Sequence, residues 1–219
     1  EAPGVPLVDL HHHAPAFDPG AAGLLLEALV AHIPEGAVVI GVVDPGVGTQ
    51  RRVLALRTRH HWFVGPDNGL FGAVFRAYGG TAYELETPLT GIPSASFHGR
   101  DWFAPVGAGL AQGDHDLLGE RVAPPLGRDS SRDQVIYVDH YGNLLTGLTV
   151  PDDTSRLLCV ANREIGFAGT FGEVPPGEVF WYRNSLERVE VAARESSAAR
   201  ELSVGPGDPV RWKARGERR

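Results

Sequence analysis

The chain has 219 residues, 42% hydrophobic and 21% charged, enough apolar side chain to bury a core and too ordinary a mixture for wholesale disorder. Its 20 basic and 27 acidic side chains leave a net charge of −7, which disfavours a general electrostatic nucleic-acid binder. A single cysteine, Cys159, excludes an intrachain disulfide framework and a cysteine-built zinc site, and the longest apolar run, residues 37–43, is too short to span a bilayer. Gly 28 and Pro 17 make about a fifth of the chain, which predicts a turn-rich fold.

Residues 6–10 read as a short apolar strand. Asp18-Pro19 then opens a helix, with an N-cap aspartate and a proline at the first helical position. Residues 21–33 carry its apolar face, and Pro34-Glu35-Gly36 ends it. The β-branched run 37–43 predicts a strand buried on both faces. Residues 52–58 and 62–65 read as paired strands, 69–78 as a helix ended by Gly79-Gly80, 81–86 as a strand and 102–111 as a helix. This alternation predicts an α/β N-terminal domain with a mainly parallel sheet, over residues 1–120. Residues 118–131 read as a linker. Six short strands follow, at 134–138, 144–150, 157–161, 179–182, 189–192 and 209–212. They predict a smaller all-β, barrel-like domain over 132–219. The basic end, 211–219, reads as a frayed, solvated tail.

Several segments carry chemistry. VVDPGVGTQRR (42–52) places Asp44 where a buried strand ends in a Gly/Pro loop, the position at which α/β sheets build ligand sites. The same loop also fits a tight turn whose aspartate bonds its own backbone. FHGRD (97–101) precedes an apolar helix, with Asp101 read as its N-cap and His98 in want of partners. GPDNG (65–69) reads as a turn into a helix and DHYGN (139–143) as a hairpin turn, and Asn184-Ser185 follows an aromatic strand. His11, His12 and His13 alternate in direction on an extended chain, so they cannot all chelate one ion, and no metal site is expected.

Taken in order, VDLHHHAPAFD, VVDPGVGTQRR, FVGPDNGLF, SFHGRDWFAP, VDHYGN, TFGEV and YRNS resemble the S-adenosylmethionine hydroxide adenosyltransferase family, relatives of the fluorinase and chlorinase. The resemblance covers nearly the whole chain. It implies an α/β domain, a β-barrel domain, and a homotrimer whose sites join one subunit's N-terminal domain to the next subunit's C-terminal domain. It implies hydrolysis of S-adenosylmethionine to adenosine and L-methionine, with no cofactor, no metal, no nucleic acid and no membrane. The Asp–Arg–His set that holds water falls on Asp44, Arg51 and His98. The halide-using relatives lack that aspartate and histidine, so oxygen is the expected nucleophile. Asp139 and Ser185 resemble the residues holding the methionine amine and carboxylate, and Asn143 the adenine-binding asparagine. Phe17, Phe97 and Gly99 match positions around the sugar and reaction centre, and Tyr141 and Phe171 match aromatics near the adenine.

Three departures stand beside the matches. The family's opening strand and helix, with a ribose-binding aspartate, have no counterpart, and the chain lacks methionine even at position 1; a processed form or fragment is therefore expected. The family's Val-Asn-x-Gly-Ser-Ala reads Ala193-Arg194-Glu195-Ser196-Ser197-Ala198, and the fluorinase's carboxylate-clamping arginine is Leu186, with Arg183 and Arg188 as alternatives. A non-catalytic adenosine or S-adenosylmethionine binder is the second reading and a halide-dependent 5′-halo-adenosine synthase the third. No secretory leader pattern opens the chain, so a cytoplasmic location is expected.

Overall fold

The computed structural model describes residues 2–85, 94–127 and 130–214. Glu86, residues 128–129 of the expected linker and residues 215–219 of the basic tail lie outside them. The chain divides into two units, Glu1–Asp129 and Ser130–Arg219. No described helix is long and apolar enough to cross a membrane.

In the first unit α1 (Pro19–Leu29) starts as expected: the Asp18 carboxylate accepts the Ala21 N–H at 2.9 Å and Pro19 occupies the first turn. Then come β1 (Val38–Ile40), β2 (Val53–Arg57), β3 (Trp62–Pro66), α2 (Gly72–Tyr78) and β4 (Thr81–Glu84). A π-helical turn (Gly99–Phe103) leads into α3 (Ala104–Ala111), and β5 (Arg121–Val122) closes the unit. The sheet order is β1-β3-β2-β4-β5.

Among the described strands of this sheet only β1–β3 is a parallel pairing; β2–β3, β2–β4 and β4–β5 are antiparallel, which corrects the expected mainly parallel sheet. For β2–β3 the cause is the tight turn between them. There Thr58 N–H and Oγ1–H donate to the His61 carbonyl, and His61 N–H donates back to Oγ1, each at 3.0–3.1 Å. A turn this short can join only antiparallel neighbours.

The period-2 alternation of β2 divides two cores. Leu54 and Leu56 pack with Phe63, Phe71, Val74 and Leu26 of the α1–α2 side. Val53 and Ala55 pack with Val64, Phe103, Val106 and Leu110 of the α3 side. Burial on both faces thus belongs to β2 and β3, not to the 37–43 run. β1 is the edge strand, and Ile40 and Val42 are 43% and 52% exposed. Residues 6–10 form no strand; Leu7 and Val8 are almost wholly exposed. The expected linker contributes β5, which pairs Val122 with Ala82.

The second unit holds β6 (Val135–Val138), β7 (Leu144–Thr149), β8 (Leu158–Val160), β9 (Arg163–Ile165), β10 (Val179–Arg183), β11 (Arg188–Ala193), α4 (Ala198–Leu202) and β12 (Val210–Trp212). Its strands form two antiparallel sheets, β10-β11-β7-β6 and β12-β8-β9, around Trp181, Leu144, Leu158, Val189 and Val191. The expected barrel is not closed among the described residues. β8, β9 and β12 are three residues each, and only isolated bridges, Gln134–Pro209 and Phe167–Trp181, link the sheets. The basic end begins inside β12, and Lys213 pairs with Glu164 at 2.7 Å.

Candidate functional site

In the first unit the DPGVG loop leaves β1 and folds back on itself. Val47 N–H donates to the Asp44 carbonyl, and Thr49 donates to the Gly46 carbonyl through both N–H and Oγ1–H. The GPDNG segment braces this loop from β3: Asn68 Nδ2 donates to the Val43 carbonyl at 2.8 Å, and Arg52 pairs with Asp67. The turn expected there therefore also holds the residue before Asp44.

Arg51 gathers the three residues expected to hold water. Its Nε donates to Asp44 Oδ1 at 2.7 Å, and its Nη2 donates both to Asp44 Oδ2 and to His98 Nδ1, the latter at 2.9 Å. Nη1 donates to the Arg52 carbonyl. The Arg51 and Asp44 side chains are 8% and 5% exposed, so a planar guanidinium fork is seated on a carboxylate almost out of water. The Phe103 ring lies 5.7 Å from the guanidinium carbon. Arginine cannot accept a hydrogen bond, so His98 Nδ1 is the acceptor and a neutral His98 carries its proton on Nε2. Burial first, and the Arg51 charge second, push the imidazole pKa below its ordinary value, against the opposing pull of Asp44 and Asp101.

Phe17 and Asp44 line one open cleft of about 320 Å³ together with His11, His12 and Val42. Phe17 takes a positive φ of 61° and is 84% exposed. Gly99 backs onto the same Val42, whose Cγ2 would stand 4.0 Å from a Cβ placed there. Phe97 is 59% exposed, beneath the Arg100 guanidinium at 5.1 Å. Asp101 does not cap α3. It lies within the π-helical turn and accepts from Ser94 N–H and from Arg100. His12 Nε2 sits 3.3 Å from Asp9, and the His11 and His13 rings meet edge to face.

In the second unit Asp139 organises its hairpin. Oδ1 accepts from Tyr141 N–H and Asn143 N–H, and Oδ2 accepts from Asn143 Nδ2 at 2.9 Å. Gly142 has φ +86°, and a Cβ there would stand 2.0 Å from Ser197 Oγ, so this turn packs tightly against the start of α4. Asn143 is buried and Tyr141 is 77% exposed. Phe171 stands edge-on to Phe180 and Tyr182, with ring centroids 5.1 and 5.6 Å away. Ser185 is exposed at the tip of the β10–β11 hairpin, where Asn184 Oδ1 accepts from Leu186 N–H and Arg188 N–H. Arg183 pairs with Glu187.

Two polar residues here escape sequence reasoning. Tyr182 hydroxyl donates to Glu190 Oε1, and Asn184 Nδ2 donates to Glu190 Oε2 at 2.9 Å. Burial, then the bond to Glu190, then the charges of Glu190 and Asp139 push the phenol pKa far up. The signal that could have found them is hairpin register, since Tyr182 and Glu190 are direct cross-strand partners. Asp139 is near enough for its charge to act on Tyr182, so both hairpins present carboxylates to one neighbourhood.

Comparison with known proteins places the chain in a family. Models of the SAM hydroxide adenosyltransferase N-terminal and C-terminal domains match residues 1–118 and 133–211. The (R)-S-adenosyl-L-methionine hydrolase of Salinispora arenicola is 39% identical across 96% of this chain and 87% of that protein, and that of Thermus thermophilus 38% across 96% and 89%. A fluorinase from an Actinoplanes species is 28% identical over about half of each chain, 51% and 46%. Among solved structures, an uncharacterized conserved protein from Thermotoga maritima superposes with a TM-score of 0.87 at 29% identity, covering 96% of this chain and 89% of that one. A conserved hypothetical protein from Thermus thermophilus superposes with a TM-score of 0.80 at 37% identity, covering 97% and 89%. The chain belongs to the SAM hydroxide adenosyltransferase family.

Proposed function

We propose that the chain hydrolyses S-adenosylmethionine to adenosine and L-methionine, with Asp44, Arg51 and His98 holding the attacking water. The observation that carries this reading is the seating of Arg51 across Asp44 and His98, with the Arg51 and Asp44 side chains almost out of water. The water oxygen bonds to ribose C5′, the C5′–S bond breaks with its electron pair going to sulfur, and one water proton is released. The sulfonium is itself the leaving group, so the proposed reaction calls on no metal or redox cofactor. What the protein supplies is alignment and a fixed field.

The hydrogen bonds divide the work. His98 spends its Nδ1 lone pair on Arg51, and its Nε2–H is left to donate to the attacking oxygen. Asp44 keeps carboxylate lone pairs beyond its two Arg51 bonds and is the group able to accept the water proton. Arg51 holds both in place without moving as charge develops. In the same reading Phe17, Phe97 and Gly99 border the sugar, and aromatic faces suit the sulfonium by cation–π attraction. Asp139 and Ser185 take the methionine amine and carboxylate, with the Glu190 carboxylate nearby to add to the field an ammonium would meet. Asn143, Tyr141 and Phe171 border the adenine. Three copies of the chain assemble.

The test is incubation with S-adenosylmethionine in chelator and without halide, following adenosine and methionine by chromatography. Equal amounts of both support the hydrolase. Unchanged substrate with measurable binding replaces it with a non-catalytic binder, and a 5′-halo-5′-deoxyadenosine peak in chloride or fluoride replaces it with a synthase. Separate sulfur epimers in the same assay decide whether this chain shares the (R) preference in its relatives' names.

A further inference from the structure

His98 stands at the end of a short strap, residues 94–98, that runs into the π-helical turn Gly99–Phe103. The far end of the strap is pinned by the turn itself, where Arg100 N–H and Asp101 N–H both donate to the Phe97 carbonyl at 3.1 and 3.0 Å. The near end is pinned by a side chain: Asp101 Oδ2 accepts the Ser94 N–H at 2.7 Å. The Asp101 carboxyl is only 13% exposed and is held from its other side by Arg100, at 2.5 Å from Nε and 3.0 Å from Nη2. Between the pins the strap lies against the Asp44–Arg51 loop. A Cβ on Gly48, whose φ is +80°, would stand 3.0 Å from the Ala95 carbonyl oxygen. Two segments that contribute opposite halves of one cluster are thus pressed together at a glycine, and one carboxylate closes the strap.

We propose that Asp101 is a positioning residue for the reaction: by fastening Ser94 to the turn it fixes the strap, and through the strap it holds the His98 imidazole at hydrogen-bond distance from Arg51. The role rests on the reading of Asp44, Arg51 and His98 as the reacting groups. Asp101 acts through His98 and touches no reacting atom. The bond to Arg100, followed by the Ser94 N–H, lowers the Asp101 pKa to about 2, so the clamp stays closed through the neutral range and is not a pH switch.

The experiment compares wild type, Asp101→Ala, Asp101→Asn, His98→Ala and the Asp101→Ala/His98→Ala pair. It measures kcat and KM for S-adenosylmethionine, melting temperature, and the ring ¹⁵N resonances of His98. Asp101→Ala is expected to lower kcat about 10- to 100-fold, the scale of an ångström-sized misplacement, and to change KM less than kcat, because the backbone bonds from Arg100 and Asp101 to the Phe97 carbonyl remain. Asp101→Asn is expected to recover most of the loss, since its amide oxygen can still accept from Ser94. The double variant is expected to be no slower than His98→Ala, the mark of residues acting as one unit. The His98 Nδ1 signal is expected at the position of an accepting nitrogen in wild type and to shift in Asp101→Ala.

Wild-type kcat in Asp101→Ala, equal damage in Asp101→Asn, or additive losses in the double variant would overturn the inference and leave the hydrolase reading standing. If wild type proves inactive, that reading falls, and the ¹⁵N signal still decides the clamp: an unshifted Nδ1 in Asp101→Ala overturns it. Should Asp101→Ala fold poorly by melting temperature, Ser94→Pro removes the donated N–H instead, and an unshifted His98 Nδ1 there overturns the clamp.

Discussion

The direction of the His98 shift makes the cluster pH-sensitive in a defined sense. Burial and the Arg51 charge lower the folded imidazole pKa below its ordinary 6.5. A proton added on Nδ1 would set an N–H against the Arg51 N–H, so protonation dismantles the cluster. The value of kcat/KM is therefore expected to be flat above about pH 6.5 and to fall as pH drops through the lowered folded pKa. Stability follows the same sign: the contribution of neutral His98 is complete above the unfolded pKa and is lost as pH falls below it. Rate profiles and melting temperatures from about pH 5 to 8, for wild type and His98→Gln, check both. An inflection above the ordinary value would contradict the tautomer assigned here. Little of this was legible residue by residue. Asp44 was visible as the end of an apolar run meeting a glycine loop, but Arg51 and His98 lie 47 positions apart, and nothing local pairs them. Only the ordered set of segments, taken as a family resemblance, joined the three. Asp101 was read as a cap because an aspartate before an apolar helix usually is one. The strap it closes is a contact that no local pattern encodes.

Elements were most legible where their ends carry their own chemistry. Asp18-Pro19 opens α1 where the sequence places it, and the bond from Ala21 to Asp18 shows why, but α1 ends at Leu29 and a 3-10 turn, Val30–His32, carries the chain on to Pro34-Glu35-Gly36. The pairing of 52–58 with 62–65 was legible, but the sheet's direction was not: β4 and β5 continue it antiparallel beyond β2. Thr58 and His61 close β2 on β3 through the threonine hydroxyl, a device that composition does not announce. The same limit applies to GPDNG, whose turn was legible while the reach of Asn68 back to Val43, in the loop after β1, was not. That reach matters because Asn68 Nδ2 is bonded to the carbonyl immediately before Asp44. Asn68→Ala is expected to cost about 1–3 kcal/mol of stability, since it removes this bond and the one that Asn68 Oδ1 accepts from Leu70 N–H. Turnover is expected to drop by more than that loss alone would cause, since the freed carbonyl adjoins Asp44, the proposed reacting carboxylate. Urea midpoints and kcat measured together check this. A stability loss with unchanged kcat would make Asn68 a brace of the sheet alone.

At the scale of the whole molecule, the proposed substrate contacts are divided between two units. Asp44, Arg51 and His98 belong to Glu1–Asp129, while Asp139, Asn143 and Ser185 belong to Ser130–Arg219. The family resemblance expects a trimer in which one subunit's first unit works with the second unit of its neighbour, and this arrangement has a consequence that a self-contained subunit lacks. Asp44→Ala and Asp139→Ala should each be inactive alone, because one removes the proposed water-holding group and the other the proposed substrate anchor. If sites are shared between subunits, dissociating and reassembling an equal mixture lets intact halves meet. Random pairing then makes about one site in four whole, so activity should return to about a quarter of wild type. Light scattering on the mixture should show three chains per particle. A mixture that stays inactive after subunit exchange, verified by mass-tagged chains in one particle, would place both halves of each site on the same chain. Recovery near one quarter requires the two carboxylates to act on one substrate molecule from different chains, because neither variant contributes a complete set by itself.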